Sequence, residues 1–381
     1  MYRAIHAQGY KKGEIFMKII FAGGGTAGHI NPALSICKYI EAQEEDFSAL
    51  FIGTRRGLEK KLVPDAGYDI KYIDVCGLDR KNLLRNISVF AKLQKAKRDT
   101  LRIMKDFAPD AVVCTGGYVS GPVMMAAKRL GIPSLIHEQN VYPGFTVKGS
   151  QRFASFVAIS FEETKEHLRC KEKCVVTGNP IREELLHTDK KSARQKLGLS
   201  DKPFVLVFGG SLGAEKINET MLGVLKLMNG QDMDILFGTG DRNYDAVMQK
   251  IKEEDIKIPE GTKIVPYINN MSEVLAACDI VVSRAGAITV SEIALLKKPS
   301  VLIPSPNVVR NHQEQNAREF ERNGAAKVIT ENCLTSKLLY DTIKEMAGNG
   351  ENLEKMGENA GKLAKGDALP KIYSLVLKMV K

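Results

Sequence analysis

Met17-Lys18-Ile19-Ile20-Phe21-Ala22-Gly23-Gly24-Gly25-Thr26-Ala27-Gly28-His29 is the stretch that decides the fold. An almost wholly apolar run that stops abruptly at glycines reads as a buried strand. Helical periodicity follows over Asn31–Gln43. Strand, glycine turn and helix form the opening unit of a parallel, doubly wound α/β sheet. Further apolar strands are expected at Ala49–Gly53, Ala111–Thr115, Ser134–His137 and Ser155–Ile159. The pattern then restarts: Phe204–Phe208 runs into Gly209-Gly210-Ser211-Leu212-Gly213 and a second helix. Asp234–Phe237, Thr262–Val265, Asp279–Ser283 and Ser300–Ile303 continue it.

Two similar α/β domains are therefore expected, over 17–177 and 178–366, hinged near Thr177–Arg182, where Gly178-Asn179-Pro180 breaks the chain. Asp367–Lys381 reads as a helix that returns to the first domain, with Pro370 tolerated in its first turn. Two such domains present the carboxyl ends of their strands to a shared cleft, where ligands bind in this architecture. Residues 1–16 read equally as an N-terminal extension or as sequence ahead of a start at Met17.

A chain of 381 residues suits two cores rather than one. The formal charge of +10 calls for an anionic partner. Tryptophan is absent and aromatics make up 7%, which leaves little material for base stacking, so no nucleic-acid partner is expected. The seven cysteines are odd in number, scattered and without a CxxC, which fits a reducing compartment. His167, Cys170 and Cys174 lack a fourth ligand for a closed metal site and read as structural. No apolar run is long enough to span a bilayer, and the N-terminus lacks the apolar segment of a signal peptide.

Gly23-x-Gly25-x-x-Gly28 is formally a dinucleotide fingerprint, in which glycines admit a phosphate to the backbone and a helix N-terminus supplies N–H groups. A tight turn explains it equally well. The end of the second strand carries Gly53-Thr54-Arg55-Arg56 where a nicotinamide enzyme wants an acid, although two arginines suit a phosphorylated dinucleotide. His29 opens the helix, either as a proton acceptor or as a cap. Thr115-Gly116-Gly117-Tyr118-Val119-Ser120-Gly121-Pro122 again places glycine backbone at a helix start, a second anion cradle or a polar loop in the same domain. His137-Glu138-Gln139-Asn140 ends the next strand with four polar residues, a cleft wall or a polar loop. In the second domain, Ser283–Glu292 runs from a strand into a helix whose amides suit a diphosphate, and whose Glu292 suits paired ribose hydroxyls. The bland reading of Glu292 is a solvated surface charge. His312-Gln313-x-x-Asn316-Ala317 opens a further helix with amide side chains suited to a sugar. Asp232-Met233-Asp234 has the form of a metal-binding DxD but sits at a strand entry away from other acids, so no metal or other cofactor is expected. Asp79–Lys105 carries nine cations against two anions, with leucines, isoleucine, valine and phenylalanine interleaved. This suits an anionic membrane surface as readily as a solvated face.

Together these stretches resemble the MurG family, the bacterial undecaprenyl-diphospho-muramoylpentapeptide N-acetylglucosaminyltransferases. The likeness rests on Gly24–His29, Gly116–Pro122, His137–Asn140, Gly178–Arg182, Gly209–Ser211, Arg284–Glu292 and His312–Ala317, and extends over essentially the whole chain from Met17. It implies the GT-B fold: two Rossmann-like domains about a cleft, acting without a DxD metal. It also implies a UDP-GlcNAc donor, a lipid-linked muramoyl-pentapeptide acceptor, and a peripheral location at the cytoplasmic face of the membrane. Carried over motif by motif, the donor contacts are Thr26, Ala27, Gly28, Asn140, Arg182, Ser211, Ile268, Ala287, Ile288, Thr289, Val290, Ser291, Glu292 and Gln313. The resemblance likewise implies acceptor contacts at Gly117, Tyr118 and Ser120. Ala27 stands where the family often has glycine. The general base is expected to be His29, with Glu138 as its rival. Two other functions compete: a GT-B diacylglycerol glycosyltransferase with the same donor motifs, and an NADP-binding oxidoreductase. A non-catalytic membrane scaffold does not require two phosphate cradles.

Overall fold

The computed structural model describes residues 16–76, 85–181, 184–185, 188–210, 213–228, 233–308 and 311–380, and for 85–91 the backbone alone. Two parallel sheets carry the chain. The first has seven strands: β1 (Met17–Gly23), β2 (Phe47–Gly53), β3 (Ile70–Tyr72), β4 (Ala111–Gly116), β5 (Ser134–Glu138), β6 (Phe156–Ile159) and β7 (Cys174–Val176). Their order is β3-β2-β1-β4-β5-β6-β7. The second has six: β8 (Phe204–Phe208), β9 (Asp234–Gly238), β10 (Thr262–Val265), β11 (Ile280–Ser283), β12 (Ser300–Leu302) and β13 (Lys327–Val328), in the order β10-β9-β8-β11-β12-β13. Helices connect parallel neighbours, and the central strands are buried on both faces, so they read as continuous apolar runs. In each sheet the strand order reverses beside the strand that leads into a glycine loop, β1 or β8, the place where α/β sheets bind ligands.

The compact unit built on the first sheet runs to His137 and includes Gly149–Val157 and Ile372–Lys381. The other comprises Glu138–Lys148 and Ala158–Lys371. The second sheet shows directly how alternation divides a core. Phe204, Leu206 and Phe208 join one apolar cluster, while Val205 and Val207 join another, because successive side chains of a strand point to opposite faces. The last helix, Ala368–Val380, begins with Pro370 in its first turn. In the first unit Ile372 and Val376 are fully buried, the Tyr373 hydroxyl donates to the Glu44 carboxylate, and the Tyr373 ring lies 6.0 Å edge-on from Tyr39.

β1 and β4 pair in register from Ile19↔Ala111 to Ala22↔Cys114, then slip so that Gly23 pairs with Gly116. Thr115 is the extra residue. Such a bulge re-aims one peptide at the end of a strand, and here it faces the start of the helix Ala27–Gln43. Asp234, the described acid of the DxD-like stretch, opens β9 and accepts a hydrogen bond from the Ser200 hydroxyl at 2.9 Å. Asp232 lies outside the described residues. Among the described residues no helix is long and apolar enough to cross a membrane.

Candidate active site

In the first unit the site is built on the Thr115 bulge. His29 lies in the first turn of the helix Ala27–Gln43, and its Nδ1 is 3.1 Å from the Thr115 carbonyl oxygen. A carbonyl only accepts, so Nδ1 carries a proton, and the tautomer this selects has its lone pair on Nε2. The Thr115 hydroxyl returns a 2.6 Å hydrogen bond to the His29 carbonyl, so one bulged residue fixes both the backbone and the ring of the histidine. Gly116, at φ +115°, gives the ring its space: a Cβ there would fall 2.6 Å from His29 Nδ1. Burial pushes the neighbouring Cys114 thiol up to about 12, which removes it as a nucleophile.

The two glycine loops of this unit touch. A Cβ at Gly117, φ +80°, would meet the Gly24 carbonyl oxygen at 2.3 Å. Tyr118 is 60% exposed, as a ligand contact requires. Ser120 is a correction: it is fully buried, its hydroxyl donates to the Gly116 and Ala22 carbonyls and accepts from the Gly116 amide, and it therefore shapes the loop rather than meeting an acceptor. Thr26 is the N-cap of the Ala27 helix and makes no side-chain cap. Thr26 and Gly28 are exposed and Ala27 is half-buried, so the first turn is open to a ligand.

Glu59 was not anticipated. It is fully buried, and its carboxylate accepts from the Gly25 amide at 2.9 Å, the Thr54 amide at 2.8 Å and the Thr54 hydroxyl at 2.6 Å. Among positions in Leu58–Asp65 it looks in sequence like one more surface charge. The available signal was its place five residues after Thr54, where a glycine-lined niche accommodates it.

In the second unit Glu138 is buried, and both its oxygens are engaged. One accepts from the Asn140 amide and the Asn140 side chain, each at 3.0 Å; the other accepts from the Gly144 amide at 2.7 Å. The carboxylate thus organises the Glu138–Gly144 loop, a positioning role. Asn316 is fully buried and clamps three segments: it accepts from the Val141 amide at 3.0 Å and donates to the Asn140 side chain at 3.2 Å and the Ala285 carbonyl at 3.1 Å. Asn179 donates to the Gln139 carbonyl at 3.0 Å and to the Ser291 hydroxyl at 2.9 Å. These two asparagines hold the turn and first coils of the helix Ala287–Leu295 from either side.

That helix begins at Gly286, its N-cap, and its first internal hydrogen bond is from the Val290 amide to the Gly286 carbonyl. The amides of Ala287, Ile288 and Thr289 precede that bond, and they are the ones that a helix N-terminus offers to an anion. Val290 is a second correction. Its side chain is fully buried in the core and its amide is used within the helix, so it presents nothing to a donor. Glu292 is 5% exposed, which removes the solvated-charge reading. The Ile268 side chain is likewise in the core, leaving only its backbone for recognition. Arg284 donates to the Ile303 and Pro304 carbonyls at 3.2 and 3.3 Å and pairs with Glu331; the next amide, Ser305, donates to the Gln313 side chain at 2.9 Å. Gln313 is thereby oriented by the Ser305 amide. Arg182 and Ser211 lie outside the described residues. Among the described residues no group of three or more His, Cys, Asp or Glu is placed to hold a metal ion. The His167 ring lies 4.8 Å from that of Tyr142, and the Cys174 thiol donates to the Cys170 carbonyl at 3.4 Å.

Comparison with known proteins follows the same division. The glycosyltransferase family 28 N-terminal domain matches residues 19–159, and the family 28 C-terminal domain matches residues 204–372. The chain is 49% identical over 361 residues to the UDP-N-acetylglucosamine–N-acetylmuramyl-(pentapeptide) pyrophosphoryl-undecaprenol N-acetylglucosamine transferase of a Thermoanaerobacter species, covering 94% of this chain and 99% of that one. It is 46% identical over 368 residues to the enzyme of the same name from Acetivibrio thermocellus, at 96% and 99% coverage. The crystal structure of Acinetobacter baumannii MurG superposes with a TM-score of 0.77 at 28% identity, covering 95% of this chain and 99% of that one. The chain belongs to glycosyltransferase family 28 and, within it, to the MurG family of N-acetylglucosamine transferases with the GT-B fold.

Proposed function

We propose that the chain transfers N-acetylglucosamine from UDP-GlcNAc to the C4 hydroxyl of an undecaprenyl-diphospho-N-acetylmuramoyl-pentapeptide, with inversion, a step of peptidoglycan synthesis. The observation that carries this is likeness over nearly the full chain to transferases bearing that activity in their names, at 49% identity. In the reaction the acceptor oxygen attacks the anomeric carbon, the bond from that carbon to the β-phosphate oxygen breaks, and UDP leaves with the electron pair. The hydroxyl proton goes to His29 Nε2. The hydrogen bond between Nδ1 and Thr115 supports this role, because it places a proton on Nδ1 and leaves Nε2 as the nitrogen that can accept one. The departing diphosphate is met by the amides of Ala287, Ile288 and Thr289 and by the positive end of their helix.

Glu292 takes the ribose hydroxyls, Gln313 the sugar, Asn140, Ser291, Arg182, Ser211 and the Ile268 backbone the rest of the donor. Thr26, Ala27 and Gly28 present a second helix start, and Gly117 and Tyr118 the acceptor loop. Glu138 positions Asn140. In this proposal helix ends neutralise the diphosphate and no protein-bound metal takes part; the seat of Asp234 at the amino end of β9 supports that. The protein works at the cytoplasmic face of the membrane. On the helix Arg85–Phe107, Lys95, Arg98, Arg102 and Lys105 are exposed at helical spacing, opposite buried Ala96, Thr100 and Met104. A cationic stripe of this kind supports docking on anionic lipid. Arg80 and Lys81 lie outside the described residues.

The purified protein, given labelled UDP-GlcNAc, should label the lipid-linked muramoyl acceptor and not diacylglycerol. Label on diacylglycerol alone would replace this reading with the lipid glycosyltransferase, and stabilisation by NADPH rather than UDP in a thermal shift would replace it with the oxidoreductase.

A further inference from the structure

The first unit holds a buried carboxylate that takes no direct part in the transfer reaction. Glu59 is fully buried at the start of Glu59–Asp65, and its three donors are the Gly25 amide, the Thr54 amide and the Thr54 hydroxyl. Three glycines leave room for it. A Cβ at Gly24 would lie 2.9 Å from Glu59 Oε1, one at Gly57 would lie 2.0 Å from Oε2, and one at Gly53 would lie 2.6 Å from Cγ. Gly25 is the second glycine of Gly23-x-Gly25-x-x-Gly28, the position at which a dinucleotide fingerprint brings its backbone against a diphosphate. Here that amide is already donated to an anion supplied by the chain.

We propose that Glu59 is an internal substitute for a phosphate: its carboxylate occupies the glycine loop, denies the Gly25 amide to a nucleotide diphosphate, and positions the loop that delivers His29. Two peptide bonds separate the anchored Gly25 from Ala27, where the His29 helix begins, and Gly24 packs on Gly117 of the acceptor loop. A carboxylate that fixes Gly25 thus sets both the histidine and the acceptor loop. Glu59 touches no substrate and acts through the backbone. The same arrangement accounts for a fingerprint loop that reads as dinucleotide-binding in a chain whose relatives use a nucleotide sugar.

The positioning role rests on the transferase reading, and two readouts keep the two apart. Glu59→Gln preserves the shape but turns an amide N–H₂ toward one of its donors. Hydrogen exchange of the segment 23–30, followed by mass spectrometry, should accelerate by about tenfold or more in this variant as the Gly25 amide is released. Turnover should fall by about 10²-fold, the typical loss when a reacting group is displaced by about 1 Å. KM for UDP-GlcNAc should change much less than turnover, since most of the donor contacts lie in the second unit. Gly57→Ala keeps the charge but drives a Cβ into the carboxylate, and should shift both readouts in the same direction; it decides the matter if Glu59→Gln gives no cooperative melting transition. Unchanged exchange, or faster exchange with wild-type turnover, overturns the proposal. Absent transfer by the wild-type protein overturns the transferase reading instead, while the exchange measurement still tests the occupied loop.

Discussion

Replacing Asn316 tests the clamp behind the diphosphate-binding turn. Its side chain joins the Val141 amide, the Asn140 side chain and the Ala285 carbonyl, and Asn316 and Ala285 are fully buried while Val141 is 3% exposed. Asn316→Ala therefore leaves a buried N–H and a buried C=O without their partner. Each such group costs about 1–3 kcal/mol, so the variant should lose about 2–6 kcal/mol of stability, a large part of the roughly 5–15 kcal/mol that holds a typical domain. The Asn140 bond adds little, because Asn140 is half-exposed. Asn316→Asp separates hydrogen bonding from packing. The carboxylate still accepts from Val141, but it sets an oxygen against the Ala285 carbonyl and the Asn140 carbonyl oxygen, so it should be at least as damaging as alanine. Urea denaturation is the assay, with a midpoint shift of about 1 M or more expected. UDP affinity should fall in parallel, since the freed Ala285 peptide leads into Gly286, the cap of the diphosphate helix. An Asn316→Ala protein within about 0.5 kcal/mol of wild type, the range of an ordinary surface substitution, would refute the clamp.

Glu292→Ala should weaken UDP binding by roughly 1.5–3 kcal/mol, the worth of a hydrogen bond to a charged group; unchanged calorimetric affinity in a folded variant takes Glu292 out of the site. Neutralising Lys95, Arg98, Arg102 and Lys105 should reduce binding to anionic vesicles by up to about 1 kcal/mol per charge, and raised salt should mimic it; equal binding to neutral and anionic vesicles makes the stripe a solvated face. Burial works against the Asp279 carboxylate, but its bonds with Lys190, the Phe204 amide and Arg194 outweigh burial and hold its pKa below the usual value. A lowered folded pKa gives stability that is complete above the unfolded value, about 3.9, and is lost as pH falls through the folded one. Asp279→Asn should therefore flatten the acid limb of stability against pH, and an unaltered limb would falsify the assignment.

The long apolar strands and both glycine loops were legible because a buried parallel strand is a continuous apolar run with a glycine at its end. β3, β7 and β13 were not, since two or three half-buried residues carry no periodicity. His29 could be singled out from its place at the loop, but its tautomer depends on a bulge at Thr115 that arises only when β1 and β4 pair. Ser120 and Val290 belong to the right motifs yet point into the core, because a motif names a segment and the helix turn decides which of its side chains faces out. Glu59, Asn179 and Asn316 act on peptides far away in sequence, and nothing local distinguishes such residues from solvated ones.

The proposed reaction turns on transfer of the acceptor hydroxyl's proton to His29 while the nucleotide sugar is held by other residues. Steady-state transfer of labelled N-acetylglucosamine to the lipid-linked muramoyl acceptor, with both substrates varied, tests it in wild type and His29→Ala. His29→Ala should lose about 10²–10⁴-fold in turnover at saturating acceptor, with UDP affinity retained. Near-normal turnover and KM for both substrates in His29→Ala would contradict it and leave His29 as a helix-start residue held by Thr115.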